Sequence, residues 1–234
     1  MREIMTYILD GFIGALKILS SFDQEIYSII GLSIFVSFTS TMISAIFGII
    51  FGILLGLSDF KGKSIIVRCM YSFMALPPVV VGLFVAIFIS RRGPLGSLQM
   101  MFTPTAMVVA QTLLITPIIS GLVYNATRTY GNQISEVCMS LGGTWWNRMV
   151  LVFFELKKSI AVAITTGFGR GISEVGAVMI VGGNIKGHTR VMTTFIAMNN
   201  SMGNYERSIA MGLVLIGIAI VTNSVIHRLT GEEL

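Results

Sequence analysis

Charge is scarce in this chain: Asp, Glu, Lys and Arg make up 12% of its 234 residues. Average globular proteins carry about twice that share, so a wholly water-exposed fold is excluded. Histidine occurs only as His188 and His227, and cysteine only as Cys69 and Cys138. Neither type has partners at metal-ligand spacing, so no metal site and no disulfide are expected. No Ser, His and Asp set has a recognisable setting. The triplet Gly62-Lys63-Ser64 lacks the glycine that a P-loop requires at position 57, which is Leu57, with Gly56 one residue off. No enzyme and no bound cofactor are therefore expected. The net charge of +5 is spread over the ends of apolar segments, which argues for contact with lipid rather than nucleic acid.

What the chain has in quantity is apolar sequence, 54% of all residues. A helix crossing the hydrocarbon core needs roughly 20 mostly apolar residues. Ile26 to Ser58, Cys69 to Ser90, Gly93 to Thr127 and Ser208 to Ile226 carry no charge, and Ser159 to Ile185 is interrupted only by Arg170 and Glu174. About five spanning helices in an all-α integral membrane protein follow. Before them, residues 1–25 contain Arg2, Glu3, Asp10 and Lys17, which cut the apolar run too short to span. Ile8, Phe12, Ala15 and Leu19 recur at helical spacing, so an amphipathic helix lying in the interface is expected. A cleaved signal peptide is the competing reading, opposed by Asp10 in the apolar stretch.

Three patterns inside these segments carry candidate function. Ser33, Ser37, Ser40, Ser44, Gly48, Gly52 and Gly56 form a stripe of small residues at spacings of three and four. It suits close helix packing, and the serines could also line a polar passage for an oxyanion. Arg170 and Glu174 each cost on the order of 3 kcal/mol at the centre of a span. At a spacing of four they share one helical face and can neutralise each other, either as a structural lock or as a gate. Pro77, Pro78 and Pro117 fall inside apolar windows and are expected to kink or end their helices.

The polar stretch between the third window and the fifth reads as two short helices. Ile134, Val137, Cys138 and Leu141 mark one face of the first, Gly142 and Gly143 break it, and Thr144 caps a second that carries Trp145, Trp146 and Met149. Such a helix suits a groove on another protein or an interfacial rest on lipid headgroups.

The run EVCMSLGGTWWNRMVLVFFELKKS from Glu136 resembles the EAA loop of ABC importer permeases, which begins with Glu, two small residues and a Gly six positions on. These are Glu136, Val137, Cys138 and Gly142; the loop's two alanines are replaced by Val137 and Cys138, and its closing Leu-Pro by Phe154 and Glu155. Gly167 to Thr194 and ALPPVVVGLF followed by RRGPLG are similar to the tungstate permeases and their molybdate relatives. The resemblance implies a type I importer permease domain over residues 26–228, a cytoplasmic coupling loop over 128–157 and a short tail at 229–234. It implies a multi-pass protein of the prokaryotic cytoplasmic membrane that imports tungstate, with molybdate or sulfate as alternatives. It further implies a homodimer, cytoplasmic ATPase subunits docked at Glu136, Val137, Cys138, Leu141, Gly142 and Trp145, and an external oxyanion-binding protein. ATP is then the partner's substrate, and transport proceeds by alternating access.

Lys61, Lys63, Arg68, Arg128, Arg148, Lys157 and Lys158 mark cytoplasmic loops by the positive-inside rule, although Arg91, Arg92, Lys186, Arg190 and Arg207 fall opposite. An EAA loop facing the cytoplasm decides the orientation and puts the start outside and His227 inside. Both cysteines then sit at reducing cytoplasmic loops. Lys186 and Arg190 would face the binding protein or the arriving anion. A secondary transporter or channel using Arg170 and Glu174, and a membrane assembly factor, are the competing classes.

Overall fold

The structure, a computed structural model, describes residues 23–230 together with residues 13, 14, 17 and 20. Most of the expected amphipathic segment and of the tail lies outside the described residues. Helices make up most of the rest, with no strand among the described residues. In chain order they are α1 (Gln24–Leu57), α2 (Lys63–Met74), α3 (Pro78–Ile89), α4 (Pro104–Ala126), α5 (Asn132–Ser140), α6 (Trp145–Glu155), α7 (Lys157–Ile172), α8 (Gly176–Gly182), α9 (Met192–Ser201) and α10 (Tyr205–Thr230). A 3-10 turn, Gly96–Leu98, precedes α4, and a π turn, Thr127–Gly131, joins α4 to α5.

Local chemistry explains the boundaries. The Asp23 carboxylate accepts the Glu25 N–H at 2.9 Å and opens α1, which runs 34 residues without a charge after Glu25. The second window breaks at residues 75–77, because Pro77 and Pro78 cannot donate to the helix ladder. Of the two outcomes expected at Pro117, a kink or an end, the end does not occur: α4 continues through it from Pro104 to Ala126. Spanning helices tolerate such a proline when neighbours satisfy the freed carbonyl. Three helical runs are long and apolar enough to cross a membrane, Gln24–Leu57, Pro104–Ser140 and Tyr205–Ser224, or four if the bent pair α2 and α3 is one span. The fifth window is built from two helices, the 16-residue α7 and the seven-residue α8, separated at residues 173–175.

The chain divides into two compact units; α1, α4 and α10 contribute to both, as does α7 through its last residue. One unit comprises residues 1–38, 78–110 and 172–221. Its core includes Val85, Ala86 and Ile89 of α3, Ala177, Val178 and Val181 of α8, and Met192 and Phe195 of α9. Here α3 and α8 meet backbone to backbone: a Cβ on Gly82 would lie 2.6 Å from Ala177 Cα. Thr189 closes the turn after α8, donating to Gly182 O at 2.5 Å and accepting from Ile185 N at 3.0 Å.

The other unit comprises residues 39–77, 111–171 and 222–234. Its core joins Ala45, Ile53 and Leu57 of α1, Ile115, Ile119 and Val123 of α4, Val152 of α6, and Ile160 and Ala163 of α7. The glycines of the α1 stripe pack directly on α4. A Cβ at Gly52 would fall 2.8 Å from Ser120 O and 2.8 Å from Val123 Cβ, and one at Gly56 would collide with Thr127. Small residues thus let two spans approach, which substitutes for a hydrophobic driving force absent in lipid.

Candidate functional site: the α5–α6 loop and the buried polar residues

The loop singled out by sequence grows out of a span. From Pro104 the chain stays helical through the π turn to Ser140, 37 residues in all. At the end of α5, Gly142 adopts φ +76, a left-handed conformation suited to glycine. Its N–H bonds Met139 O at 2.9 Å, and Gly143 N–H bonds Cys138 O at 2.9 Å. Thr144 then caps α6, its hydroxyl oxygen accepting the Asn147 N–H at 3.3 Å. The inner side of α6 is anchored by fully buried Val152 in the core.

The outer side is apolar and open. Leu141 is 83% exposed, Trp146 66% and Val137 58%, with Met139, Trp145 and Phe154 also exposed. Glu136 and Gly142 are exposed as well. Cys138 does not: it is buried together with Ser135, and Gly143 folds so tightly over it that no Cβ would fit. The single face expected from Ile134, Val137, Cys138 and Leu141 is therefore split. Ile134 and Cys138 pack inward, and Val137 and Leu141 point outward. Each pair at spacing four stays together, Ile134 with Cys138 and Val137 with Leu141, and the offset of one residue between Val137 and Cys138 separates the two sides of this nine-residue helix. Both short helices thus carry large apolar side chains on their open side.

Arg170 and Glu174 are separated by a helix end. Arg170 lies in the last turn of α7, and Glu174 sits in the non-helical segment 173–175, so the two do not share the continuous helix that their spacing implied. Glu174 is 4% exposed. Its Oε1 accepts the Ala177 N–H at 3.2 Å at the start of α8, and its carbonyl accepts the Thr193 hydroxyl at 2.8 Å. A carboxylate at this position replaces the missing backbone partner at the break.

The four serines of α1 are buried. Ser33 donates to Ile29 O at 2.7 Å and accepts the Met192 N–H at 2.8 Å. Ser40 donates to Gln111 Oε1 at 2.9 Å. Ser44 donates to Thr112 O at 3.2 Å and receives the Thr116 hydroxyl at 3.1 Å. In this conformation Ser33, Ser40 and Ser44 hold other segments of the chain. The sequence patterns do not single out Gln111, the side chain that ties α1, α4 and α7: besides Ser40, it donates through Nε2 to Gly171 O at 2.9 Å. The available signal is an amide in the middle of an otherwise apolar run.

Lys186 and Arg190 are not free to meet an anion. Glu25 takes Lys186 Nζ at 2.8 Å and Arg190 Nη1 at 3.5 Å, and Arg190 is further held by Asn184 through Oδ1 at 3.3 Å and the carbonyl at 3.4 Å. One carboxylate against two cations leaves a local charge of +1 rather than +2. Steering by this loop is correspondingly weakened.

Among the described residues no cluster of His, Cys, Asp or Glu could hold a metal ion. No protein-family model matches the chain. A tungstate uptake system permease protein, TupB of Peptoclostridium acidaminophilum, is 50% identical over 228 residues, 97% of this chain and 100% of the relative. A probable anion ABC transporter permease of Haloferax volcanii is 36% identical over 84% of this chain and 87% of its own length. The fold is that of the type I ABC importer permeases: a chain of the MetNI methionine ABC transporter, solved in inward-facing conformations, matches with a TM-score of 0.70 at 16% identity, covering 85% of this chain and 91% of that one. With its apolar helices, this makes the chain a multi-pass protein of the prokaryotic cytoplasmic membrane. The chain belongs to the tungstate permease family of ABC importers.

Proposed function

We propose that this chain is the membrane-spanning subunit of an ATP-driven tungstate importer that works by alternating access. The observation that carries this reading is the α5–α6 loop, an exposed apolar surface joined by unbroken helix to the α4 span. A cytoplasmic ATPase that grips Val137, Leu141, Trp145 and Trp146, with Glu136 and Gly142 shaping the surface, moves α4 when its own nucleotide state changes. The chain itself holds no nucleotide and does no chemistry; ATP is consumed by the partner. Two copies of the chain form the passage, and an external binding protein supplies the ion. The polar break at residues 173–175, with Arg170 before it and Glu174 within it, is the natural hinge, since a helix that is already interrupted reorients cheaply. The serines at 33, 37, 40 and 44 reach the passage only in a conformation that breaks their present bonds.

Reconstitution tests the reading. Proteoliposomes holding this chain, its ATPase and its binding protein are expected to accumulate tungstate only with ATP. Uptake by this chain alone, without an ATPase, would place it among secondary transporters or channels.

A further inference from the structure

An open cleft of about 920 Å3 lies between the loop after α1, the first turns of α2 and the end of α4. Lys61, Lys63, Arg68 and Arg128 line it, against the single carboxylate of Asp59. Lys63 is already engaged: its Nζ lies 3.1 Å from Asp59 Oδ1, 3.5 Å from Gly56 O and 6.0 Å from the centre of the Tyr124 ring. Lys61, Arg68 and Arg128 have no ion pair among the described residues. Four cations less one carboxylate leave +3 in one concavity.

Helix electrostatics makes this arrangement costly as it stands. A helix N-terminus carries partial positive charge and favours acids, yet α2 has no acidic residue in its first turn and no side-chain cap on Gly62. Lys61 and Lys63 flank that end instead. The positive-inside rule accounts for cations near span ends but not for their convergence on one cleft. An anion seated among them resolves the conflict.

The rim identifies the source of the anion. The cleft lies where α1 and α4 end, at Leu57 and Ala126, the level at which spans leave the hydrocarbon. Phe60 lines it and is exposed, and Ile65 on the next turn is also exposed. Tyr71 completes an aromatic edge of the kind found at the membrane interface. We infer that the cleft binds the phosphate of an anionic phospholipid, with Arg68 and Arg128 as its multidentate donors and Lys61 as a further cation. The site does not depend on the transport reading.

The full-length chain in nanodiscs of phosphatidylcholine, titrated with a fluorescent phosphatidylglycerol, tests this. The K61Q/R68Q/R128Q variant is expected to bind it roughly a hundredfold more weakly, at about fivefold for each cation. D59N, which removes the one carboxylate among the described lining residues and releases Lys63, is expected to bind about fivefold more tightly, a gain that misfolding cannot produce. Wild-type affinity in the triple variant, or weaker binding by D59N, overturns the inference. Displacement of the lipid by low-millimolar inorganic phosphate overturns the lipid as the source. Loss of ATPase co-purification in the triple variant with phosphatidylglycerol binding intact overturns it too, and assigns the cleft to a protein partner. Tungstate uptake is not measured, so failure here leaves the transport reading standing.

Discussion

Ser40 of α1 donates its hydroxyl to Gln111 of α4 at 2.9 Å, while the amide of the same glutamine reaches Gly171 O on α7 at 2.9 Å. One buried side chain therefore fixes three helices, and both of its polar ends are satisfied away from water.

Removing that amide takes one hydrogen bond from Ser40 and one from Gly171 O. Gln111→Leu is expected to destabilise the protein by about 1–2 kcal/mol, since two bonds between spans, each worth somewhat under 1 kcal/mol, are lost together. Thermal unfolding in detergent measures it. A double-mutant cycle with Ser40→Ala should show coupling, because either change alone already breaks the bond the two side chains share. Strict additivity would count against the network.

The contact between α1 and α4 leaves no room at Gly52. Gly52→Val pushes a branched side chain into Ser120 O and Val123, and overpacking of this kind typically costs about 1–3 kcal/mol. Gly212, on α10, is the opposite case, because a Cβ added there would meet nothing within 4 Å. Gly212→Ala is expected to leave the unfolding temperature within about one degree of the parent or to raise it. Equal losses at both positions would show that backbone approach is not what Gly52 provides.

Glu174 offers a separation of charge from hydrogen bonding. Its carboxylate caps Ala177 N–H, and Glu174→Gln keeps an acceptor oxygen there. Glu174→Ala is expected to cost about 1 kcal/mol more stability than Glu174→Gln, the usual value of a helix cap. If Glu174→Gln is as damaging as Glu174→Ala in unfolding measurements, the charge and not the cap holds the break together.

The apolar outer face of α5 and α6 should be dispensable for folding and required for assembly. Leu141→Asp and Trp146→Ser are expected to leave the protein monodisperse in detergent and to reduce co-purification of the ATPase at least tenfold, as losing about 1.4 kcal/mol or more at an interface anchor does. Full retention of the ATPase by both variants would remove this surface from the docking interface.

Much of this is legible in sequence because bilayer physics restricts the choices. Charge-free windows locate α1 and α4 within a few residues of their starts and ends, apart from the third window, whose opening stretch, residues 93–103, lies outside α4. The glycine stripe signals close packing, Pro77 and Pro78 signal a break, and Thr144 caps the helix that its position suggests. What escapes depends on tertiary partners. A spacing of four suggests one helix for Arg170 and Glu174, but the chain ends α7 at Ile172 and uses Glu174 to start the next helix. Helical spacing groups Cys138 with Val137 and Leu141, although the glycine turn behind it turns that side inward. Lys186 and Arg190 read as free cations because their partner, Glu25, is remote in sequence, 165 positions from Arg190.

Whether the α5–α6 loop is the grip of a cytoplasmic motor is tested most directly by one labelling measurement. Leu141→Cys, in a chain whose exposed Cys69 is replaced by Ser, is treated in sealed vesicles of known orientation with a membrane-impermeant thiol reagent. Labelling only from the cytoplasmic side, and protection once the ATPase is bound, is the predicted result. Labelling from the outer side, or equal labelling with and without the ATPase, would contradict it.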